Sequence, residues 1–244
     1  MKAMVLCAGM GSRLGELTRQ TPKPLLPIGD CSIVGHILSN LRRHGFQDIV
    51  INLHFEADQI SAALGDGSML GVRITYSQEP KLLGTAGGVR KMRSFFAHEK
   101  AFLVHYGDIV TNEDFSAMRE FHLQRDALVT LLVHKRSKSN SSMILDGEQR
   151  VLQFWERPDR QYWEATQETW VNSGILLASP EVLDLIPEGT VYDWPRDVIP
   201  QLLASQRVYG YPLRGYRTAV DSPERLEQAR RDVAAGFLKL KLGS

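Results

Sequence analysis

The sequence has little that would direct it to a nucleic acid, a membrane or an oxidising compartment. Its 29 Lys and Arg residues stand against 28 Asp and Glu residues, and the net charge of +1 gives no reason to expect nucleic acid or an anionic membrane as partner. Two cysteines, Cys7 and Cys31, are too few for a disulfide framework. No apolar run approaches the roughly 20 residues of a membrane helix, and none near the start suits a signal peptide. We therefore expect a cytoplasmic protein.

What is present is an alternation of short apolar runs and amphipathic segments. Residues 3–8, 48–52 and 101–106 are predicted as buried strands, and residues 32–44 and 115–124 have apolar side chains at helical spacing. Residues 85–96 and 197–205 are also predicted as helices. This alternation predicts an α/β fold with a doubly wound, mostly parallel, Rossmann-like sheet and helices on both faces.

The pattern changes after about residue 135, where a hairpin and shorter elements follow. With 244 residues the chain is long enough for one large domain. We expect a single domain over residues 1–235, with a first half at about 1–135 and a smaller lobe at about 136–235. Residues 236–244 are predicted as a loose tail.

A polar, glycine-containing loop follows the first predicted strand. Gly9 and Gly11 allow backbone N–H groups to approach a ligand closely. Ser12 adds a hydroxyl, Arg13 a planar cation suited to phosphate, and Lys23 an ammonium on a proline-stiffened stretch. Together these groups predict a polyphosphate site at the end of a buried strand.

Two common phosphate motifs do not fit this loop. The dinucleotide fingerprint needs a third glycine where this chain has Leu14, which argues against a nicotinamide dehydrogenase. The Walker loop needs Lys followed by Ser or Thr after its last glycine, and none follows here. A plain strand–turn–helix unit is the alternative without function, and the three polar phosphate binders disfavour it.

Residues 6–14 (LCAGMGSRL) with residues 22–27 (PKPLLP) resemble the signature of the sugar-1-phosphate nucleotidyltransferases. The resemblance continues to about Val233, and it implies a nucleotide-binding half at about 1–135 and a sugar-binding lobe at about 136–235. It implies that Ala8 and Gly9 face the base and ribose, that Gly11, Ser12 and Arg13 hold the triphosphate, and that Lys23 contacts the phosphates at which the bond exchange occurs.

Asp108 ends the fourth predicted strand, at the sheet edge where ligands bind in open α/β folds. A carboxylate facing a triphosphate repels it unless a metal lies between them, and Mg²⁺ is commonly held by one or two carboxylates and phosphate oxygens. The resemblance likewise implies that Asp108 binds Mg²⁺. A helix-capping or surface aspartate is the alternative.

A second glycine-rich loop covers residues 78–88 (QEPKLLGTAGG). Taken alone it is a helix start with Thr85 as the cap. Its Leu-Gly-Thr-Ala-Gly form resembles the loop of mannose- and heptose-1-phosphate guanylyltransferases, which implies that Glu79, Gly84 and Thr85 contact the base. Glu79 could accept from the guanine N1–H and amine, so GTP is favoured. UTP and dTTP stay open, because one residue is thin evidence.

Two segments of the second half resemble sugar-binding motifs. The Phe-Trp-Glu-Arg-Pro stretch at 154–158 resembles the family's Glu-Lys-Pro, which implies that Glu156 takes sugar hydroxyls and Arg157 the sugar phosphate. Asn172 matches the asparagine of the family's Asn-Ala-Gly segment. A Glu-Arg pair on a hairpin is otherwise more often a solvated face.

The second metal ligand is less direct. Where many family members carry a metal-binding aspartate, this chain has Ala219, and Asp221 comes two residues later. Two residues along a strand point to the same face, so Asp221 could reach the same ion. The alternative is that Asp221 caps the helix that begins near Pro223.

The resemblance thus implies condensation of a nucleoside triphosphate with a sugar 1-phosphate to a nucleotide-sugar and pyrophosphate. The attacking phosphate is already anionic at pH 7, so no general base is needed, and Mg²⁺, Arg13, Lys23 and Arg157 would neutralise and align the phosphates. A regulatory homologue without activity is the rival, but it would be expected to lose Arg13, Lys23 or Asp108. The sequence leaves the sugar and a homo-oligomer open.

Overall fold

The computed structural model describes residues 1–9, 11–159, 162 and 168–238. The side chain of Ser12 and residues 239–244 of the predicted tail lie outside the described part. No helix among the described residues combines the length and apolar character needed to cross a bilayer.

Strands and helices alternate along most of the chain, as predicted. The strands are β1 (Lys2–Leu6), β2 (Pro27–Ile28), β3 (Cys31–Ser32), β4 (Asp48–Leu53), β5 (Arg73–Gln78), β6 (Phe102–Tyr106), β7 (Ile109–Thr111), β8 (Val129–Arg136), β9 (Ser141–Leu145), β10 (Val151–Glu156), β11 (Thr169–Ala178), β12 (Val208–Pro212) and β13 (Arg217–Ala219). The α-helices are α1 (Ile33–Arg43), α2 (Ala57–Leu64), α3 (Gly84–Lys91), α4 (Arg93–Phe96), α5 (Phe115–Gln124), α6 (Ile199–Leu202) and α7 (Pro223–Ala234).

The chain forms two compact units that alternate along the sequence. The first comprises Met1–Leu82, His105–Ser116 and the chain from Arg214 onward, and the second comprises Leu83–Val104 and Ala117–Leu213. The strand β6 and the helix α5 therefore each contribute residues to both units. We predict that residues 1–135 bind the nucleotide and residues 136–235 the sugar. That division refers to ligand binding and stays a prediction.

In the first unit, β1, β4 and β5 are parallel neighbours, with Leu6 opposite Asn52 and Asn52 opposite Ser77. The strands β1 and β4 are buried and mostly apolar, as strands covered on both faces are, whereas β5 is polar and largely exposed. The helix α1 begins where predicted, since the Ser32 hydroxyl accepts a hydrogen bond from the N–H of Gly35 at 3.1 Å and caps it. The carboxyl ends of the three strands thus lie side by side.

A small antiparallel pair, β7 with β13, also belongs to the first unit. Ala219 lies opposite Ile109, and the N–H of Val220 donates to the carbonyl oxygen of Asp108 at 2.8 Å. This pairing was not predicted, and it brings the segments that contain Asp108 and Asp221 together.

In the second unit, β12 is parallel to β8, and β8, β11, β9 and β10 follow as antiparallel neighbours. The predicted hairpin is the β9–β10 pair. The register of β11 shifts between Asn172 and Leu176, and Gly174 has a φ of +80° there. The prediction of an α/β fold with a mostly parallel sheet is confirmed, and the antiparallel pairing is concentrated in this unit.

Two predicted helices differ from those observed. The segment predicted as one helix from Thr85 to Phe96 is split at Met92, whose N–H bonds to Val89 in a tighter turn. The segment predicted as a helix over 197–205 is a π turn, a single α-helical turn and a 3₁₀ turn in succession. Pro195 and Pro200 cannot donate the hydrogen bonds of a regular helix.

Candidate active site

The glycine loop after β1 turns sharply at Gly11. Gly11 has a φ of +65°, and a Cβ there would lie 3.1 Å from the Cβ of Lys23. Such a conformation and such closeness favour glycine. Gly9 has open space around the position of a Cβ. Arg13 lies in the 3₁₀ helix Ser12–Thr18, so the backbone donors and the guanidinium follow within a few residues of the strand end.

Lys23 and Asp108 form the central ion pair of the first unit. The Lys23 ammonium donates to Asp108 Oδ2 at 2.8 Å, and the two side chains are 15% and 33% exposed. Both groups are thus partly desolvated yet open to a ligand. A partly buried pair of this kind offers a cation that can bind a phosphate and carboxylate oxygens that can bind a metal.

Asp221 lies among arginines rather than at a helix cap. Its Oδ1 is 3.1 Å from Arg225 Nη1, and its Oδ2 is 3.8 Å from Arg13 Nη1. The helix α7 is capped by the Ser222 hydroxyl, which accepts from the N–H of Arg225 at 3.3 Å. The capping role considered for Asp221 therefore belongs to its neighbour.

The carboxylates of Asp108 and Asp221 fit a hard divalent cation. Carboxylate oxygens are the ligands that Mg²⁺ prefers, and Mg²⁺ needs only one or two of them beside substrate phosphates. The hydrogen bond from Val220 to Asp108 holds the two segments together. Across the described ranges there is no group of three or more His, Cys, Asp or Glu residues arranged for a metal, so phosphate oxygens and water would have to complete the coordination.

Glu79, expected to contact the base, is a buried residue of the first unit. It is 3% exposed, its Oε1 accepts from Asn52 Nδ2 at 2.8 Å, and its N–H donates to Leu53 O at 2.8 Å. Its carbonyl oxygen is 2.6 Å from His54 Nδ1. Much of the hydrogen-bonding capacity of Glu79 is therefore used inside the protein.

The second glycine-rich loop is fastened to a segment of its own unit. Gly84 has a φ of +73°, and a Cβ there would lie 2.5 Å from Tyr192 O. Asp193 Oδ1 accepts from the N–H and the hydroxyl of Thr85 at 2.9 and 3.0 Å, and that hydroxyl accepts from the N–H of Trp194. Because α3 begins at Gly84, Thr85 lies in the first turn and is not its cap.

No sequence pattern indicates the contact that Asp193 makes. Its partner Thr85 is 108 residues away along the chain, so no local pattern announces the contact. The one available signal is an acidic residue directly before Trp194 and Pro195, where short polar side chains often organise a turn.

The candidate sugar residue Glu156 ends β10, opposite Ser141. Burial raises the pKa of its carboxyl group, Arg157 lowers it in part, and Asp193 raises it further. Arg157 follows with a φ of +50°, and its N–H donates to Asn140 O at 2.6 Å. Its guanidinium Nε lies 3.7 Å from Glu156 Oε1, and its side chain is 81% exposed.

Asn172 lies where the register of β11 shifts. Its N–H donates to the hydroxyl of Ser141 at 2.9 Å, and its Oδ1 accepts from the N–H of Gly174 at 3.0 Å. Such bulges recur beside functional sites, where they redirect a side chain. Ser141 therefore joins the strand segments that carry Asn172 and Glu156.

Comparison with known proteins identifies the family. The model of the nucleotidyl transferase family matches residues 2–233. The chain belongs to this family. It is 47% identical over 233 residues to the N-acetylmuramate alpha-1-phosphate uridylyltransferase of Neisseria meningitidis serogroup B, a match that covers 94% of this chain and 97% of the relative.

A second relative, the mannose-1-phosphate guanylyltransferase of Mycobacterium tuberculosis, is 30% identical over 239 residues, which cover 96% of this chain and 65% of the relative. The chain spans about 56% to 65% of the length of several curated relatives. The crystal structure of HddC from Yersinia pseudotuberculosis has the same fold, with a TM-score of 0.79 and 20% identity over 95% of this chain and 99% of that one.

The predicted site residues divide between the two units of this nucleotidyl transferase. The phosphate, metal and Glu79 positions belong to the first unit, and the α3 loop and sugar positions belong to the second. The first set is Ala8, Gly9, Gly11, Ser12, Arg13, Lys23, Glu79, Asp108 and Asp221, and the second set is Gly84, Thr85, Glu156, Arg157 and Asn172.

Proposed function

We propose that the chain is a Mg²⁺-dependent sugar-1-phosphate nucleotidyltransferase, which condenses a nucleoside triphosphate with a sugar 1-phosphate. The observation that carries the proposal is the Lys23–Asp108 pair at 2.8 Å, which lies within the residues that the family model matches. A cation and a carboxylate held this close and left partly exposed suit a phosphate–metal complex.

In the proposed reaction an oxygen of the sugar phosphate attacks the α-phosphorus of the triphosphate. The new P–O bond forms as the bond to the β-phosphate breaks, and pyrophosphate leaves. Lys23 and Arg13 of this chain neutralise and align the triphosphate, and Arg157 holds the attacking phosphate. Because the nucleophile is already ionised at pH 7, no side chain has to remove a proton.

Asp108 and Asp221 are the proposed Mg²⁺ ligands. Mg²⁺, when bound, supplies charge neutralisation at the phosphate oxygens. Both carboxylates are paired with cations of the chain, Asp108 with Lys23 and Asp221 with Arg13 and Arg225. These cations therefore lie next to the carboxylate oxygens that would hold the metal.

UTP is the nucleotide we propose. The relative with 47% identity over nearly its whole length is named a uridylyltransferase. The structural reason for guanine also weakens, because Glu79 is 3% exposed and its Oε1 is committed to Asn52. By the same likeness, the proposed acceptor is an N-acetylated sugar acid 1-phosphate, with Glu156 and Asn172 at its hydroxyls.

Guanylyl transfer is the second candidate. It is favoured by the Leu-Gly-Thr-Ala-Gly loop and by the match to a mannose-1-phosphate guanylyltransferase over 96% of the chain. We place either reaction in the cytoplasm, with no nucleic-acid or membrane partner, and homo-oligomerisation stays open.

A substrate matrix tests the proposal. GTP, UTP, dTTP and CTP are each combined with the 1-phosphates of N-acetylmuramate, N-acetylglucosamine, glucose, mannose and heptose, and pyrophosphate release is followed. We expect the highest kcat/KM with UTP and N-acetylmuramate 1-phosphate. A higher value with GTP and mannose or heptose would select the second candidate. Absence of release above an enzyme-free background with every substrate pair would reject the function.

A further inference from the structure

Asn52 bridges two segments proposed to bind the nucleotide. It lies near the end of β4, is 3% exposed, and is the neighbour of β1 on one side and β5 on the other. Its Oδ1 accepts the backbone N–H of Cys7 at 2.8 Å, and its Nδ2 donates to Glu79 Oε1 at 2.8 Å. One side-chain amide therefore holds the residue after β1 and the residue after β5.

These contacts extend the sheet by one step beyond its strands. The β1–β4 ladder ends at the pair of Leu6 with Asn52, and the next N–H, that of Cys7, takes the side chain of Asn52 instead of a strand partner. Cys7 directly precedes Ala8 and Gly9. A buried N–H without an acceptor is costly, so this bond fixes the direction in which the glycine loop leaves the strand.

The contact with Glu79 has the same character. A carboxylate at 3% exposure needs a hydrogen-bond donor, because an unpaired buried charge is strongly unfavourable. Asn52 supplies one donor, and the backbone of Glu79 is tied to Leu53 and His54. The segment after β5 thus takes its position from the end of β4.

We propose that Asn52 is a positioning residue for nucleotide binding. It acts through the backbone of Cys7 and the carboxylate of Glu79, and sets the glycine loop and the start of the second loop relative to each other. The proposal rests on the proposed function, since it assumes that these segments bind the nucleotide. The polarity of the pair, an amide donor facing a carboxylate acceptor, is the feature that can be tested.

The test is an exchange of that polarity. Asn52→Asp keeps an acceptor for the N–H of Cys7 but sets a second carboxylate against Glu79. Glu79→Gln keeps an acceptor for Asn52 without the charge. The double variant N52D/E79Q restores a donor and an acceptor in the reverse sense, with the net charge of the wild type. Nucleotide Kd is measured by calorimetry with all four triphosphates, and KM for the sugar 1-phosphate by pyrophosphate release.

We expect N52D to weaken binding of the preferred nucleotide by at least roughly tenfold, a 1.4 kcal/mol effect. The double variant should recover to within about threefold of the wild type, as a directly coupled pair does. KM for the sugar 1-phosphate should stay unchanged in both. Asn52→Ser, which adds no charge and removes both contacts, should weaken binding to the same degree, and it replaces N52D if that variant does not fold.

Asn40 provides the control for a purely structural effect. It is fully buried and donates to Glu113 O at 3.2 Å, far along the chain from the glycine loop. Asn40→Ala should lower the melting temperature and leave nucleotide Kd unchanged. If N52D or Asn52→Ser behaves like Asn40→Ala, or if N52D/E79Q binds no better than N52D, the positioning role is wrong. If the wild type itself binds none of the four triphosphates, the proposed function falls and this role with it.

Discussion

The Lys23 ammonium donates to the carboxylate of Asp108 at 2.8 Å, although 85 residues separate them in the sequence. The lysine follows a proline and opens a short 3₁₀ turn, Lys23–Leu25, which fixes its backbone before any ligand arrives. A cation that is positioned in advance stabilises developing charge without a reorganisation cost.

Removal of either proposed phosphate cation should therefore impair catalysis. We expect Lys23→Ala and Arg13→Ala each to lower kcat/KM by at least about a hundredfold, the usual effect of removing a positioned charge partner. Arg19→Ala is the matched control, because Arg19 follows the same 3₁₀ segment, is 74% exposed and pairs with Glu16. Steady-state kinetics on folded variants decide the matter, and near wild-type rates for Lys23→Ala would remove it from the site.

Asp221 gives a prediction about metal dependence. Asp221→Ala should raise the Mg²⁺ concentration needed for half-maximal activity and lower kcat sharply, because Asp108 alone would remain. Its melting temperature should change little, since the ion pairs it loses are partly exposed. Glu224→Ala changes an exposed acidic residue nearby, and it should leave the Mg²⁺ requirement and kcat unchanged. An unaltered Mg²⁺ dependence together with a lower melting temperature would contradict the metal role.

Glu156→Gln should separate stability from binding. The pKa of Glu156 is raised by burial, so the stability linked to its protonation is present below the unfolded value near 4.5 and is lost as the pH rises through the higher folded value. At pH 7 the neutral amide escapes this penalty, and the melting temperature should rise. KM for the sugar 1-phosphate should rise as well. Thermal melts and kinetics at pH 7 test both directions, and a lower melting temperature refutes the first.

Gly84→Ala should be more harmful than a comparable change at Gly189. Both glycines have positive φ, near +70°, but a Cβ on Gly84 meets Tyr192 O at 2.5 Å whereas Gly189 has no atom within 4 Å. Each alanine costs about 1–2 kcal/mol for its backbone conformation, and only Gly84→Ala must also displace the segment at Tyr192. Its melting temperature should be the lower of the two, and its nucleotide binding should weaken. Equal effects would show that the close approach is unimportant.

Two buried histidines predict a loss of stability in mild acid. Burial lowers the pKa of His105 and of His122 from 6.5 to about 4. Between those pH values the unfolded chain binds more protons than the folded one, so stability is full above about 6.5 and falls as the pH decreases toward 4. Melting temperatures from pH 8 to pH 4 should show this fall, and His122→Asn should flatten it. An identical slope in the variant would exclude His122 as a contributor.

The elements with a strong local pattern could be predicted from the sequence. The helix over 115–124 has the predicted bounds, and α1 (Ile33–Arg43) lies within one residue of the predicted segment 32–44. The strands β7 and β13 could not be predicted. Each has only three residues, too few to show a periodic pattern, and the two strands lie about a hundred residues apart in the sequence. They position Asp221, so the least predictable elements support a proposed metal ligand.

The candidate site shows the same division. The glycine loop and Lys23 are recognisable because the proposed phosphate-binding residues lie close together in the sequence. The burial of Glu79 and the contact of Thr85 with Asp193 depend on tertiary neighbours, Asn52 in one case and a segment 108 residues away in the other. A contact that depends on one distant, buried partner cannot be predicted from composition or from the spacing of residues.

The thiol of Cys7 lies at the start of the glycine loop with 3% of its surface exposed, and burial, reinforced by Asp108, raises its pKa to about 12. Only thiolates react readily with alkylating reagents, so the native chain protects this cysteine. Its alkylation rate consequently reports how often the end of β1 opens, with the half-exposed Cys31 as an internal reference. A nucleoside triphosphate bound at the glycine loop would slow the alkylation of Cys7 but not that of Cys31. The ratio of the two alkylated products in a mass spectrum would then report the fraction of the chain with nucleotide bound.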